Sequence, residues 1–315
     1  MALDDLARVL SDKKRLGLDD ELCDKLRITD PQVTRARLEG EANERAHVSI
    51  HLVGVWVEDC RDAIGKGEVY WWSIPMLGQS DGKIRWSPLV GLPTGVPPTS
   101  VGSKKWLPGI SLKDPPLLAV APPDDEVAAC IVRIGFYEDD WAPAELGPAL
   151  KVGMEALAEA KLPVADIDAF VKPIRTPLWE ALKAKQDDFM LERDAKFLRE
   201  EGQGFGAGSI SSMLTEYVRV YLFAKDTERT EQCGPFELIK GQEQRILFPS
   251  SLEGGGQLAV FARGKVQVDP FGALDVDKPF VDTTIESRHE AGLAKGFTVT
   301  AEEKAEVVAW YTPPR

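Results

Sequence analysis

The chain has 315 residues and carries 51 acidic against 38 basic side chains, so its formal net charge at pH 7 is −13. This balance argues against a nucleic-acid-binding protein, which needs a basic surface to displace counterions from phosphates. It also argues against simple attraction to anionic lipid. The length predicts two domains, and a hydrophobic content of 43% is enough for a sizeable core.

The four cysteines indicate a reduced chain. Cys23, Cys60, Cys130 and Cys233 lie far apart in sequence, and no two of them form a Cys-x-x-Cys pair. The N-terminus has acids where a signal peptide has bases, and no apolar run approaches the length of a membrane span. We therefore expect a cytoplasmic protein, with export by a route that leaves no N-terminal signal as the alternative.

Residues 1–46 are predicted to form an N-terminal helical arm and linker. Leu3, Leu6 and Leu10 recur at helical spacing, and Asp19 or Asp20 caps a second short helix. The arm packs either on its own domain or on a neighbouring subunit, which would make a homo-oligomer. The alternative is that it docks a partner.

Residues 47–145 are predicted to form the first β domain. In the run 127–141, alternate side chains from Ala128 to Phe136 are all apolar, and the other face is mostly apolar. This pattern is typical of a central strand in a sandwich. On the predicted strand 47–57, His47 and His51 share a face but lie roughly 13 Å apart, too far for one metal ion. We expect both to be solvated.

Residues 146–201 are predicted to form a helical insert. Leu146, Leu150 and Met154 have near-helical spacing, and Thr176 with the proline that follows it is typical of a helix start. The pattern continues this helix to about Arg199. The glycine-rich run 202–208 fails the phosphate-loop pattern because Ala207 replaces the third glycine, so we interpret the run as a flexible connection.

Residues 202–315 are predicted to form a C-terminal β domain. Residues 216–224 alternate apolar and mixed side chains, and further short strands follow with turn signals between them. Regularly spaced short strands indicate a sandwich or a barrel. The predicted fold class is therefore mainly β (α+β), with two β-sandwich-like domains joined by a helical segment.

Acids follow two of the predicted strands. Asp59 and Asp62 come after the first strand, and Glu138, Asp139 and Asp140 come after the buried one. If both loops lie at one end of a sandwich, five carboxylates converge, and oxygen ligands from loops are what calcium requires. The default interpretation is that these acids only solvate the loop ends.

The same region resembles a C2 domain over about residues 47–141. The likeness consists of a first strand that leads to an acidic loop, a tyrosine-bearing strand EVYWW at 68–72, and a late strand that runs into acids, GFYEDD at 135–140. It implies a calcium-dependent module acting at a membrane or partner. The sequence departs from the family where Val69 replaces the aspartate before the tyrosine, and where three contiguous acids replace an alternating aspartate pair.

Tryptophans are the second set of predicted site residues. Because Trp71 and Trp72 are adjacent, they point to opposite faces of one strand. One belongs to the core, and the other is available to anchor a protein or peptide, together with Trp86, Trp106 and Trp141. Packing in the core remains the default interpretation of these tryptophans.

No catalytic motif is recognisable, since the chain lacks GxSxG, HExxH and Walker patterns. We assign no catalytic residue and no cofactor other than the possible calcium. The favoured function is a non-catalytic binding or assembly protein that recognises a protein or peptide. The alternatives are the calcium-dependent C2-like module and an enzyme with a site between the two β domains.

Overall fold

The computed structural model describes residues 48–60, 66–85, 94–121, 127–138, 167–168, 171–172, 176, 188–199, 206–250, 252, 254–285 and 296–314. These residues form eighteen strands, and the helical residues among them are confined to 167–176. The mainly β prediction is therefore confirmed. The predicted N-terminal helices over 1–46 lie outside the described residues. No helix within the described ranges is long and apolar enough to cross a bilayer.

The strands divide into two sets. The first ten are β1 Val48–Val57, β2 Lys66–Gln79, β3 Ile84–Arg85, β4 Thr94–Gly102, β5 Lys105–Trp106, β6 Leu117–Ala121, β7 Val127–Glu138, β8 Asp188–Leu198, β9 Ile210–Leu214 and β10 Val218–Asp226. The last eight are β11 Glu231–Leu238, β12 Glu243–Leu247, β13 Gln257–Arg263, β14 Val266–Asp269, β15 Gly272–Leu274, β16 Phe280–Thr284, β17 Gly296–Ala301 and β18 Ala305–Thr312.

The first sandwich is built from two antiparallel sheets. One has the order β5-β1-β10-β9 with β6 also on β1, and the other has the order β3-β2-β7-β8 with β4 also on β2. The inner faces of β1, β2, β7 and β10 meet in one core that contains Ile50, Trp71, Phe136 and Val220. β7 lies between β2 and β8, and all its residues except Ala128 are buried, because one of its faces is apolar and the other mostly so.

β9 and β10 join this sandwich although they follow the predicted boundary at residue 201. β10 pairs with the whole of β1, from Val48 opposite Asp226 to Val57 opposite Val218. β9 pairs with the other side of β10. The first sandwich is therefore completed by strands from both sides of that boundary.

The predicted helix that continues to about Arg199 is wrong over Asp188–Leu198, which is strand β8. β8 pairs with β7 from Leu198 opposite Ala129 to Asp188 opposite Glu138. Charged residues such as those at 192–196 have good helix propensity, and this favoured the helical interpretation. The hydrogen-bonding edge of β7, together with burial of Leu191 and Phe197 in the core, overrides that weak local preference.

The second sandwich consists of sheets β11-β18-β13-β16 and β12-β17-β14-β15. Alternate residues of β13 and β18 face its core, where Leu258, Val260, Val307 and Ala309 are fully buried. Phe297 and Val299 of β17 close the core from the opposite sheet.

A separate apolar cluster joins the two sandwiches. It contains Val53, Tyr221 and Phe223 from the first sandwich and Phe261 and Trp310 from the second. The rings of Phe223 and Trp310 stack with centroids 4.2 Å apart and an interplanar angle of 19°.

Buried polar contacts accompany this apolar junction. Arg263 of β13 donates to the carbonyl oxygens of Val53 (2.8 Å) and Ile110 (2.7 Å) in the first sandwich.

The prediction of a flexible connection over 202–208 is wrong at its described end. Gly208 has φ +92°, and a Cβ there would lie 2.9 Å from Gln257 and Thr312 side-chain atoms. This segment is packed into the junction.

Candidate functional site

The two acidic strand ends lie at the same end of the first sandwich. Gly67, near the start of β2, separates them. A Cβ at Gly67 would lie 2.7 Å from the carbonyl oxygen of Cys60 and 3.0 Å from Cγ of Glu138. The loop that carries Asp59 and the end of β7 are therefore neighbours. Asp62, Asp139 and Asp140 lie outside the described residues.

The two described acids have different surroundings. Glu138 is buried, and its Oε1 accepts a hydrogen bond of 3.3 Å from the backbone N–H of Glu68. Asp59 is exposed, and its Oδ1 lies 3.4 Å from Oγ of Ser103 in the β4–β5 turn. Among the described residues no group of three or more His, Cys, Asp or Glu side chains converges to hold a metal ion. These two acids thus do not form a metal centre by themselves.

Trp71 and Trp72 point to opposite faces of β2, and both are buried. Trp71 lies in the first core and stacks on Phe136 with centroids 6.3 Å apart. Trp72 lies on the outer face of its sheet, where its indole covers Gly135, and a Cβ at Gly135 would lie 2.5 Å from the ring. The indole Nε1 of Trp72 is buried, and no described residue forms a hydrogen bond with it.

Trp106 lies at the junction between the sandwiches. It makes edge-to-face contacts with Trp56 (centroids 5.4 Å apart) and with Phe261 of the second sandwich (5.7 Å). The guanidinium of Arg263 lies 5.8 Å from its ring centroid. The ring thus packs against the protein's own second sandwich. Trp86 and Trp141 lie outside the described residues.

An arginine-centred network lies on the same outer face as Trp72. Arg133 of β7 donates from Nε (2.7 Å) and Nη2 (2.9 Å) to the carboxylate of Asp194 on β8. Its Nη1 donates to Asp168 at 2.8 Å and lies 3.6 Å from Glu192. These hydrogen bonds, that to Asp194 first, raise the pKa of Arg133 above its already high usual value. The network fixes the 167–168 segment and β8 onto β7.

Sequence reasoning did not identify this network, although a signal was present. Arg133 interrupts an otherwise apolar run, and a charge in such a run has to be paired when it is buried. Its acidic partners were assigned to a helix, so they were not placed beside it.

The outer face of this sheet is not an exposed surface in this region, because the side chains of Tyr70, Trp72 and Tyr137 on it are all buried.

Among the described residues, one exposed surface lies along a side of the first sandwich. Both sheets of the sandwich end there, one in β8 and the other in β9, as far as the described strands show. Three large apolar side chains on these strands are exposed: Phe189 (42%), Leu198 (62%) and Leu214 (60%). Oγ1 of Thr215, which follows β9, donates to the carbonyl oxygen of Met190 on β8 at 3.1 Å and links the two edges. We call this surface the β8–β9 side.

His51 is buried, so the expectation of a solvated histidine is wrong. β1 pairs with β10 along one edge and with β6 along the other, and the side chains on both of its faces are buried. Nδ1 of His51 lies 3.2 Å from the carbonyl oxygen of Pro115, and Nε2 lies 2.9 Å from Oγ of Ser49. Burial lowers the pKa of His51 to about 4. The imidazole is thus a neutral link between β1 and the loop before β6.

Comparisons with known proteins add little to this geometry. No protein-family model and no curated protein matches the chain. Two solved structures of human GIVD cytosolic phospholipase A2 show a remote likeness. One, in complex with the inhibitor methyl gamma-linolenyl fluorophosphonate and terbium chloride, has 5% identity, covers 86% of this chain and 33% of that chain, and has a TM-score of 0.26. The other has 6% identity, covers 85% and 32%, and has a TM-score of 0.25.

This chain thus spans about a third of the length of those structures. At such TM-scores the likeness supports no inference about fold or activity, and the C2 resemblance of residues 47–141 stays a prediction.

Proposed function

We propose that this protein is a non-catalytic binding or assembly protein that recognises an extended segment of a protein or peptide partner. The observation that supports the proposal is the β8–β9 side, where two sheet edges lie together and Phe189, Leu198 and Leu214 are exposed. Exposed edges with apolar side chains are templates for strand addition, in which main-chain hydrogen bonds supply affinity and side-chain contacts supply specificity.

The backbone of β8 is oriented for this kind of pairing. The N–H of Arg199 bonds the carbonyl oxygen of Ala128, so that residue faces β7. In an antiparallel ladder, successive residues direct their backbone groups to alternate sides. Asp194, Lys196 and Leu198 therefore direct theirs away from β7, where a partner strand would lie.

A selection from a displayed library of random peptides tests the proposal. We expect the full-length chain to enrich a family of peptides with alternating apolar residues. The double variant Leu198→Ser, Leu214→Ser should lose this enrichment, because each substitution removes an exposed apolar contact from the β8–β9 side.

The matched control is Ile239→Ser with Leu247→Ser. These residues are similarly exposed (68% and 52%) but lie on the second sandwich. The control should retain the enriched peptides. Equal enrichment on the wild-type chain and on both variants would place binding elsewhere and would contradict the proposal.

A calcium-dependent C2-like module is the second candidate. It is supported by the convergence of the loop that carries Asp59 and the end of β7 on the two sides of Gly67. Calcium sites take several loop carboxylates at one end of a sandwich. Action at a membrane is proposed only as a consequence of calcium binding.

A thermal melt with calcium and with EDTA separates the two candidates. A ligand that binds only the folded state raises the melting temperature. The C2-like candidate requires a rise that is lost in Asp59→Asn, whose side chain is exposed and whose removal leaves the core unchanged. A melt that does not respond to saturating calcium would remove this candidate.

A further inference from the structure

The charges of β8 show which partner would fit its edge. Three basic side chains on or directly after this strand are exposed: Arg193, Lys196 and Arg199. Within the described part of the chain, neither Arg193 nor Lys196 forms an ion pair. This local group of exposed cations contrasts with the net charge of the whole chain, which is −13.

The acids of the same strand do not cancel this charge at the surface. Glu192 and Asp194 turn towards Arg133, and their side chains are only 9% and 18% exposed. The single guanidinium of Arg133 offsets part of their charge on the outer face of the sheet. Among the described side chains of β8, the exposed charges are therefore basic, although the sequence of the strand alternates acids and bases.

From this arrangement we infer that the partner segment is an extended acidic peptide that adds to the free edge of β8. The inference rests on the proposed function and specifies its ligand. In a strand, Lys196 points to one face and Arg193 points to the other. A partner strand with acids on both faces meets a base on each side, and opposite charges in cross-strand positions stabilise pairing.

A second copy of the chain fits the edge poorly. Pairing β8 with itself in a register that places Arg193 or Lys196 opposite its own copy would bring like charges together, which is destabilising. Lysine on an edge strand is also a common guard against self-association. The same charges that disfavour these registers attract an acidic segment.

Three labelled synthetic peptides test the inference. They alternate valine with glutamate, with serine or with lysine, and fluorescence anisotropy measures their binding to the full-length chain at low and high salt. We expect the glutamate peptide to bind about tenfold more tightly than the serine peptide at low salt, and the difference to shrink at high salt. The lysine peptide should bind most weakly.

The charge-reversed variant Arg193→Glu, Lys196→Glu should invert this order, so that the lysine peptide binds best. The control Lys240→Glu, Lys278→Glu changes the net charge equally, but at exposed lysines of the second sandwich. It should keep the wild-type order. Because all four side chains are exposed, we expect both variants to fold, and thermal melts check this.

Two results would overturn the inference. One is equal affinity for the glutamate and serine peptides, and the other is the same change of order in both charge variants, which would show an effect of net charge alone. If the peptide-library enrichment still depends on Leu198 and Leu214, the proposed function stands and only the acidic partner is rejected. If that dependence is also absent, the proposed function falls with it.

Discussion

The carboxylate of Asp282, on β16 of the second sandwich, accepts a 2.8 Å hydrogen bond from the backbone N–H of Ile210, the first residue of β9 in the first sandwich. The amide of Gln257 donates to the same carboxylate. Burial raises the pKa of Asp282, so its charge is held in a partly desolvated position. One side chain thus fixes the start of the β9 edge to the other sandwich.

Replacing Asp282 tests whether this bond or its charge matters. Asp282→Ala leaves the Ile210 N–H without its acceptor and should lower the free energy of unfolding by about 1–3 kcal/mol. Asp282→Asn keeps an oxygen acceptor and should cost less. Urea denaturation measures both, and equal losses would show that charge, not the hydrogen bond, is what stabilises this contact.

Substitutions of the residues in the Arg133 network should lower the stability of the protein by very different amounts. Arg133→Met leaves Asp194 and Glu192 without their buried partner and should lower stability by about 3–5 kcal/mol. Asp168→Asn removes the partner whose side chain is 78% exposed, and should cost less than about 1 kcal/mol. Thermal melts at fixed pH compare the two variants. A large loss in Asp168→Asn would mean that the 167–168 segment carries more of the stability than its exposure indicates.

His51 should make the protein less stable in mild acid. Its pKa is lowered from 6.5 to about 4, chiefly by burial, with Lys225 lowering it and Asp114 raising it. The unfolded chain therefore binds the proton first, and stability is lost as pH falls from 6.5 towards 4, by roughly 3 kcal/mol. Urea midpoints across this range should show a steeper pH dependence for wild type than for His51→Gln. Parallel curves would exclude His51 as the source.

Gly135 should not accept a side chain. A Cβ at this position would lie 2.5–2.7 Å from the indole of Trp72, so Gly135→Ala should cost about 1–3 kcal/mol through overpacking. Gly78→Ala is the control, because its added carbon would meet neighbours at 3.4 Å, an ordinary contact distance. Denaturant midpoints would report the difference. Equal stability of both variants would show that the Trp72 ring moves aside freely.

The alternation of side chains along the sequence was enough to predict the features that depend only on strand geometry. The alternation in β7 predicts a strand covered on both faces, and adjacent Trp71 and Trp72 predict side chains on opposite faces. Both features depend only on the period of a strand. The acids at strand ends likewise indicated the end of the first sandwich where Asp59 and Glu138 lie on the two sides of Gly67. Glu138, however, is the last residue of β7 and is buried.

Features set by distant partners were not predictable in the same way. Asp188–Leu198 has the charges of a helix and becomes a strand because β7 offers it an edge. His51 looks solvated until β6 and Pro115 are placed beside it. β9 lies beside β8 because β9 pairs with β10 and β10 pairs with β1. The sequence of residues 210–226 does not indicate that β10 pairs with β1.

The pairing of Val48 with Asp226 also governs how the chain can be made. During synthesis, β1 leaves the ribosome long before β10 does, and its hydrogen-bonding edge has no lasting partner until Asp226 has emerged. Contacts this far apart in sequence form slowly, because a long loop has to close first. The nascent chain therefore presents an apolar strand edge throughout the synthesis of β2 to β9, and this is the interval in which chaperones would be needed.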